Sequence, residues 1–128
     1  MNSVQMMSSA PSRYQDAHLE VDFDCKIATL DSRRLTLTPK ECDLLVLLVK
    51  NAGAIVSRET LLMRVWGYGK EIRTRTLHVH IRRLRKHLSP YGMQYIETIF
   101  GIGYRFQPIR PTERFRLPLP VSEPSVTA

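Results

Sequence analysis

Long apolar runs are missing from this sequence. The longest, Leu44 to Val49, has the length of a core helix segment, well short of the ~20 residues that cross a bilayer. Residues 1–12 contain neither a basic n-region nor an apolar h-region, so no signal peptide is read and a cytoplasmic protein is expected. Cysteine is scarce: Cys25 and Cys42 are the only two. They lack the clustered partners of a zinc site, and buried reduced thiols are expected in preference to a disulfide. Catalytic signatures are missing as well. No nucleophile elbow, P-loop, paired-carboxylate cleft or metal triad is present, so no enzyme, cofactor or metal is expected. Gly67-x-Gly69 and Gly101-x-Gly103 lack the third glycine of a dinucleotide fingerprint and read as turns.

The most informative shortage is of acid in one stretch. Between Arg73 and Lys86 there are six Arg or Lys residues and no Asp or Glu. The chain carries +7 overall, yet residues 1–32 hold two basic against five acidic side chains, so the remainder is strongly positive. Such an excess is the footprint of a polyanionic partner.

The 128 residues, 43% of them hydrophobic, suffice for one domain with a core. Residues 1–16 are polar and Ser-rich, and read as a disordered tail or linker remnant. From residue 17 a folded domain is expected to run to 108. Leu19, Val21 and Phe23 alternate with acids, and Lys26–Leu30 and Arg34–Leu37 form two further short strands, with Asp31-Ser32 as a turn. A small antiparallel sheet with one wet face follows.

Thr38-Pro39-Lys40-Glu41 is a capping box with Pro at the first helical position. The helix it opens is apolar on nearly all sides, hence central. Ala54-Ile55-Val56 is short and extended. Ser57 caps a second helix with Leu61, Leu62, Val65 and Trp66 inward, which Gly67-Tyr68-Gly69 stops. A third helix is expected over 73–88. Its Leu77, Ile81, Leu84 and Leu88 fall within roughly 60° of one another at 100° per residue, the face that packs. Tyr95–Ile99 and Gly103–Gln107 then read as a hairpin turned at Phe100-Gly101-Ile102. Residues 109–128, rich in Pro and without periodicity, read as a disordered tail. A plain disordered end is expected there in preference to one whose Arg110, Arg114 and Arg116 add non-specific attraction to a polyanion.

Opposite its packed stripe, the third helix carries Arg75, Val79, Arg82, Arg83 and Lys86. A solvated helix face ordinarily mixes Glu with Lys for i,i+4 pairing; this one has no acid. Arginines fork onto guanine O6/N7 or neutralise phosphates, and a valine contacts the thymine methyl group. The ridge therefore suits the major groove of double-stranded DNA. A-form RNA, whose major groove excludes a helix, suits it poorly. His78 and His80 diverge by about 200° on the helix and cannot chelate one metal. His80 lies near the groove side, and His78 is expected to pack or sit on the polar surface. Arg105, following the hairpin turn, is placed to lie in or near a minor groove.

The motifs Leu37-Thr38-Pro39-Lys40-Glu41-Cys42-Asp43-Leu44-Leu45, Val56-Ser57-Arg58-Glu59-Thr60-Leu61, Val65-Trp66-Gly67, Arg75-Thr76-Leu77-His78-Val79-His80-Ile81-Arg82-Arg83-Leu84-Arg85-Lys86, Ile96-Glu97-Thr98 and Gly101-Ile102-Gly103-Tyr104-Arg105-Phe106 stand in order. Together they resemble the OmpR/PhoB-type winged-helix domain. The resemblance covers residues 18 to 107 and implies an α+β fold: an N-terminal antiparallel sheet, three helices and a C-terminal β-hairpin wing. It implies a sequence-specific transcription regulator, the output half of a two-component response regulator or a relative without a receiver domain. Arg75 and Arg85 then resemble phosphate contacts, and Thr76, Val79, His80 and Arg83 resemble groove contacts. The segment Trp66, Gly67, Tyr68, Gly69, Lys70, Glu71, Ile72 resembles the loop through which such proteins touch RNA polymerase, commonly its sigma factor. Two copies are implied to bind direct-repeat half-sites as a tandem homodimer, in a bacterial nucleoid. Departures from the family pattern are Arg73-Thr74 and His78, where acids are frequent, and Phe100, where an arginine is usual. The other class of reading, a module that recruits or blocks RNA polymerase with DNA binding secondary, predicts that the Trp66–Ile72 loop matters and the basic ridge does not.

Overall fold

The computed structural model describes residues 12–67 and 74–111. A four-stranded antiparallel sheet comes first, in the order β1 (Arg13–Gln15), β2 (Leu19–Asp22), β3 (Ile27–Leu30) and β4 (Arg33–Arg34). Leu19 and Val21 point inward with no exposure, across from Ala28 and Leu30. The β3–β4 turn falls on Asp31 and Ser32, both at positive φ, which short polar side chains tolerate better than branched ones. Four helices follow with the remaining strands: α1 (Pro39–Lys50), β5 (Ile55–Ser57), α2 (Arg58–Trp66), α3 (Thr74–His87), α4 (Gly92–Tyr95), β6 (Ile96–Ile99) and β7 (Gly103–Phe106). This is the expected α+β winged-helix arrangement, and no helix among the described residues is long and apolar enough to cross a membrane.

The capping box forms as its spacing implies. Thr38 Oγ1 accepts from the Glu41 N–H at 3.2 Å, and Glu41 Oε1 accepts from the Thr38 N–H at 3.0 Å. Ser57 caps α2 by accepting from the Thr60 N–H. The central helix α1 buries Leu44, Leu45 and Leu48 completely, with Leu61 of α2 and Leu77, Ile81, Leu84 and Leu88 of α3 and its exit in the same core. The 3.6-residue stripe of α3 therefore packs as its spacing requires.

Several elements differ from the sequence reading. The tail boundary at 16 moves back: Arg13–Gln15 is an edge strand paired with β2, because Tyr14 lies against the core and edge-on to Phe106 at 5.6 Å. At the other end Ile109 also packs against the core, and its carbonyl accepts from the Ala17 N–H. The outer parts of the two expected tails, 1–11 and 112–128, lie outside the described residues. Regular pairing in β4 stops at Arg34, although the Leu35 N–H still donates to Ala28. A one-turn helix, α4, precedes the wing where the strand was expected to start at Tyr95. Finally, Ile55–Ser57 is more than an extended link. It pairs with β7, so the wing is a three-stranded sheet in the order β5-β7-β6. Gly103 permits that closeness: a Cβ there would stand 2.0 Å from the Val56 carbonyl oxygen. Gly101, at φ +79°, makes the β6–β7 turn.

Both cysteines are free thiols, Cys42 buried and Cys25 exposed. The expectation of burial thus holds for one of them. Burial pushes the Cys42 thiol up from its ordinary pKa, and its Sγ donates to the Lys26 carbonyl at 3.4 Å.

Candidate nucleic-acid interface

Helix α3 presents Arg75, Arg82, Arg83 and Lys86 to solvent. None of these four has a carboxylate partner among the described residues. Arg75, Thr76, Val79, His80 and Arg83 line one shallow concavity of about 310 Å³ on this helix. The structure thus brings together five of the residues expected to face DNA. It combines forked donors, a hydroxyl, an apolar contact and an imidazole on one convex element. Arg73 and Tyr68–Ile72 of the expected polymerase loop lie outside the described residues.

His80 is held from two sides. Its Nδ1–H donates to the Thr76 carbonyl at 2.9 Å, and its ring meets Trp66 edge-on at 4.9 Å. A carbonyl only accepts, so that bond places the proton of a neutral ring on Nδ1 and leaves Nε2 with the lone pair. Trp66, half-buried against the core, thereby anchors α2 to the His80 side of α3. His78 is exposed, as expected for a polar-surface residue, yet it has a specific partner. Its Nδ1 shares a 2.8 Å hydrogen bond with the hydroxyl of Tyr104 in β7. Tyr104 is buried, and its burial raises the phenol pKa.

Arg85 is placed differently from its neighbours. Its Nε and one terminal nitrogen donate to the Ile96 carbonyl at 3.1 and 2.7 Å, and the same terminal nitrogen reaches Thr98 Oγ1 at 2.8 Å. On the helical wheel it stands roughly 80° from Leu77, close enough to the packed stripe to reach β6. Burial lowers its pKa from the ordinary guanidinium value. The phosphate contact implied by resemblance therefore competes with a role in fixing the wing to α3. Arg105 is likewise engaged. Its Nε and a terminal nitrogen donate to Glu97 Oε1 at 3.0 and 2.8 Å, across the β6–β7 pair. The Arg105 guanidinium, with Gln107 adding a weaker donor, holds the Glu97 carboxyl below the usual carboxylate range. At the wing tip Phe100 is 90% exposed and Ile102 51% exposed.

A family described as "Transcriptional regulatory protein, C terminal" matches residues 32–106. The chain belongs to this OmpR/PhoB-type family of DNA-binding domains. It is 41% identical over 87 residues to the response regulator ArlR of Staphylococcus haemolyticus, covering 67% of this chain and 40% of that protein. With the transcriptional regulatory protein ResD of Bacillus subtilis it shares 39% over 94 residues, 71% of this chain and 39% of that protein. The chain thus spans about 40% of the length of these curated relatives. Among solved structures, the response regulator DrrB of Thermotoga maritima superposes with a TM-score of 0.69 at 33% identity, over 75% of this chain and 44% of that one. The DNA-binding domain of Klebsiella pneumoniae RstA, solved in complex with the RstA box, gives 0.67 at 29% identity, over 77% of this chain and all of that one.

Within this OmpR/PhoB-type domain, sequence reasoning missed a cluster centred on Asp16. Its carboxylate accepts from the hydroxyls of Tyr14 and Tyr95, the latter at 2.7 Å, and from the N–H groups of His18, Leu19 and Ile109. Burial alone would raise its pKa, but these donors outweigh it and hold the carboxyl below its ordinary value. Burial and the Asp16 charge push the Tyr14 and Tyr95 phenols far above theirs. The Asp16–Tyr95 bond joins residues 79 apart in sequence, so no local pattern announced it.

Proposed function

We propose that this chain is the output domain of a bacterial response regulator and places α3 in the major groove of its operator. The observation that carries this reading is the set of cations on α3, Arg75, Arg82, Arg83 and Lys86, left exposed and unpaired around the Thr76–Val79–His80 concavity. Arg83, which lines that concavity, reads base edges with Thr76 and Val79. Arg75, Arg82 and Lys86 neutralise phosphates. His80 contributes from the Trp66 side. Arg85 sets the angle between α3 and the wing and strengthens all complexes alike. Arg105 reaches the neighbouring minor groove by exchanging the Glu97 carboxylate for phosphate. Two copies occupy direct-repeat half-sites about one helical turn apart as a tandem homodimer, and the segment Trp66–Ile72 meets RNA polymerase, commonly through its sigma factor.

Selection of bound duplexes from a random pool, at low and at near-physiological salt, tests this. The expected result is a direct repeat spaced by about one turn that survives the higher salt. Binding without an enriched motif, lost as salt rises, would contradict sequence-specific reading.

A further inference from the structure

The tip of the wing carries an apolar pair that the fold does not use. Phe100 is 90% exposed and Ile102 51% exposed. The turn between them closes through the backbone, with the Ile102 N–H donating to the Ile99 carbonyl at 3.0 Å, and Gly101 supplies the positive φ. Neither side chain is needed to form it. Thr98, two residues before Phe100, is tied to α3 through Arg85 at 2.8 Å. Tyr104, opposite Thr98 in the ladder, is tied to α3 through His78. At ~3.3 Å per residue, Phe100 stands roughly 7 Å along the strand beyond that double anchor.

Its surroundings favour nucleic acid as the occupant. From Ile99 to Tyr104 there is no acidic residue, and Glu97 on the strand leading into the turn is paired with Arg105 at 2.8 Å. Glu59, one residue beyond the Arg58 N–H that donates to the Ile102 carbonyl, is the acid on the α2 side of the turn. An apolar tip without acids of its own, tied through Thr98 and Tyr104 to the helix that carries the unpaired cations, complements a phosphate-lined groove. Proteins that bind the minor groove insert phenylalanine or isoleucine between base steps and partly unstack them. Flexible pyrimidine–purine steps yield most readily.

We propose that Phe100, supported by Ile102, is a wedge that enters the minor groove next to the α3 site and partly unstacks a base step there. The contact makes Phe100 a specificity determinant through DNA deformability, at positions that no polar side chain reads. It rests on the DNA-binding reading given above.

The test uses the full chain and a duplex recovered by selection, with 2-aminopurine substituted in turn at the steps flanking each half-site. Binding of the unaltered protein should brighten the probe at one flanking step. Phe100→Ala should abolish that signal and weaken binding about tenfold, with the melting temperature and the slope of log K against log salt unchanged. Phe100→Arg should restore affinity without the signal and steepen the salt slope by about one phosphate contact. Full binding by Phe100→Ala with the probe signal intact would overturn the wedge and leave the α3 reading standing. Failure of the unaltered protein to bind any duplex, selected or random, would overturn both.

Discussion

In the N-terminal sheet Arg13 meets Glu20, His18 meets Asp31, Lys26 reaches Asp43, and Asp16 collects five donors. On the outer face of α3, Arg75, Arg82, Arg83 and Lys86 find no carboxylate among the described residues. The first region spends most of its charges on its own architecture, with exposed Asp24, Arg33 and Arg34, which form no ion pair among the described residues, as exceptions. The second holds its charges for something outside the chain. Position on a helical wheel is not enough to separate the two uses. Arg85 belongs by sequence to the basic run of α3 but by contact to the wing, where the Ile96 carbonyl and Thr98 occupy it. Membership of a basic motif does not by itself make an arginine a ligand contact: Arg85 is already held by the fold.

The contrast is broken most strongly at Asp16. Asp16→Asn keeps the size but weakens the acceptor shared by Tyr14, Tyr95 and Ile109. It should destabilise the domain by about 1–3 kcal/mol, read by denaturant unfolding, with little change in DNA affinity measured where the variant remains folded. The pH dependence carries the same signature. Asp16 titrates lower in the folded chain than in the unfolded one, so its ionised form stabilises the fold. That contribution is complete above the ordinary carboxylate range, near about pH 4, and is lost as pH falls through the depressed value. Unfolding followed downward from neutral pH should show a shallower acid limb in Asp16→Asn.

Arginines 83 and 85 sharpen the contrast within one helix. Arg83→Ala should leave the melting temperature unchanged and relax preference at one or two base pairs, by about 1–3 kcal/mol there. Arg85→Ala should do the reverse, lowering stability by about 1–2 kcal/mol as the Ile96 carbonyl loses its donors. It should weaken matched and scrambled duplexes in parallel. If both variants gave the same pattern in melting and in competition binding, the division of roles would be wrong.

Much of this was legible in the sequence, and the reasons it stopped are physical. Local patterns are those whose partners lie within one or two turns: the Thr38–Glu41 capping box, the Ser57 cap, and the Leu77–Ile81–Leu84–Leu88 stripe with its basic reverse. Each is decided by spacing along the chain. The pairing of Ile55–Ser57 with β7 and the Asp16 cluster are decided by residues far away in sequence. The strand at Arg13–Gln15 pairs locally with β2, but the Phe106 ring that Tyr14 packs against is distant. The Asp16–Ile109 bond spans 93 positions. Arg105 was readable as a wing arginine. Its engagement with Glu97 depended on strand register, which shifts with the turn at Phe100-Gly101-Ile102.

Smaller effects follow from single surface charges. Lys86→Ala should weaken binding to all duplexes and reduce the slope of log K against log salt by about one contact. Glu97→Gln, which weakens the acceptor held by Arg105, should raise affinity by only about two- to threefold, as befits an exposed pair. A drop in affinity would mean that Glu97 orients Arg105 for DNA instead of competing for it.

The central claim, that the unpaired face of α3 and not the self-satisfied N-terminal sheet meets the partner, is tested most directly by backbone amide NMR. A selected duplex would be titrated into the labelled chain. The largest shift changes are expected along Arg75–Lys86 and at the Phe100–Gly103 wing tip, with β1–β4 almost still. Shifts concentrated in β1–β4, with α3 unmoved at saturation, would contradict it.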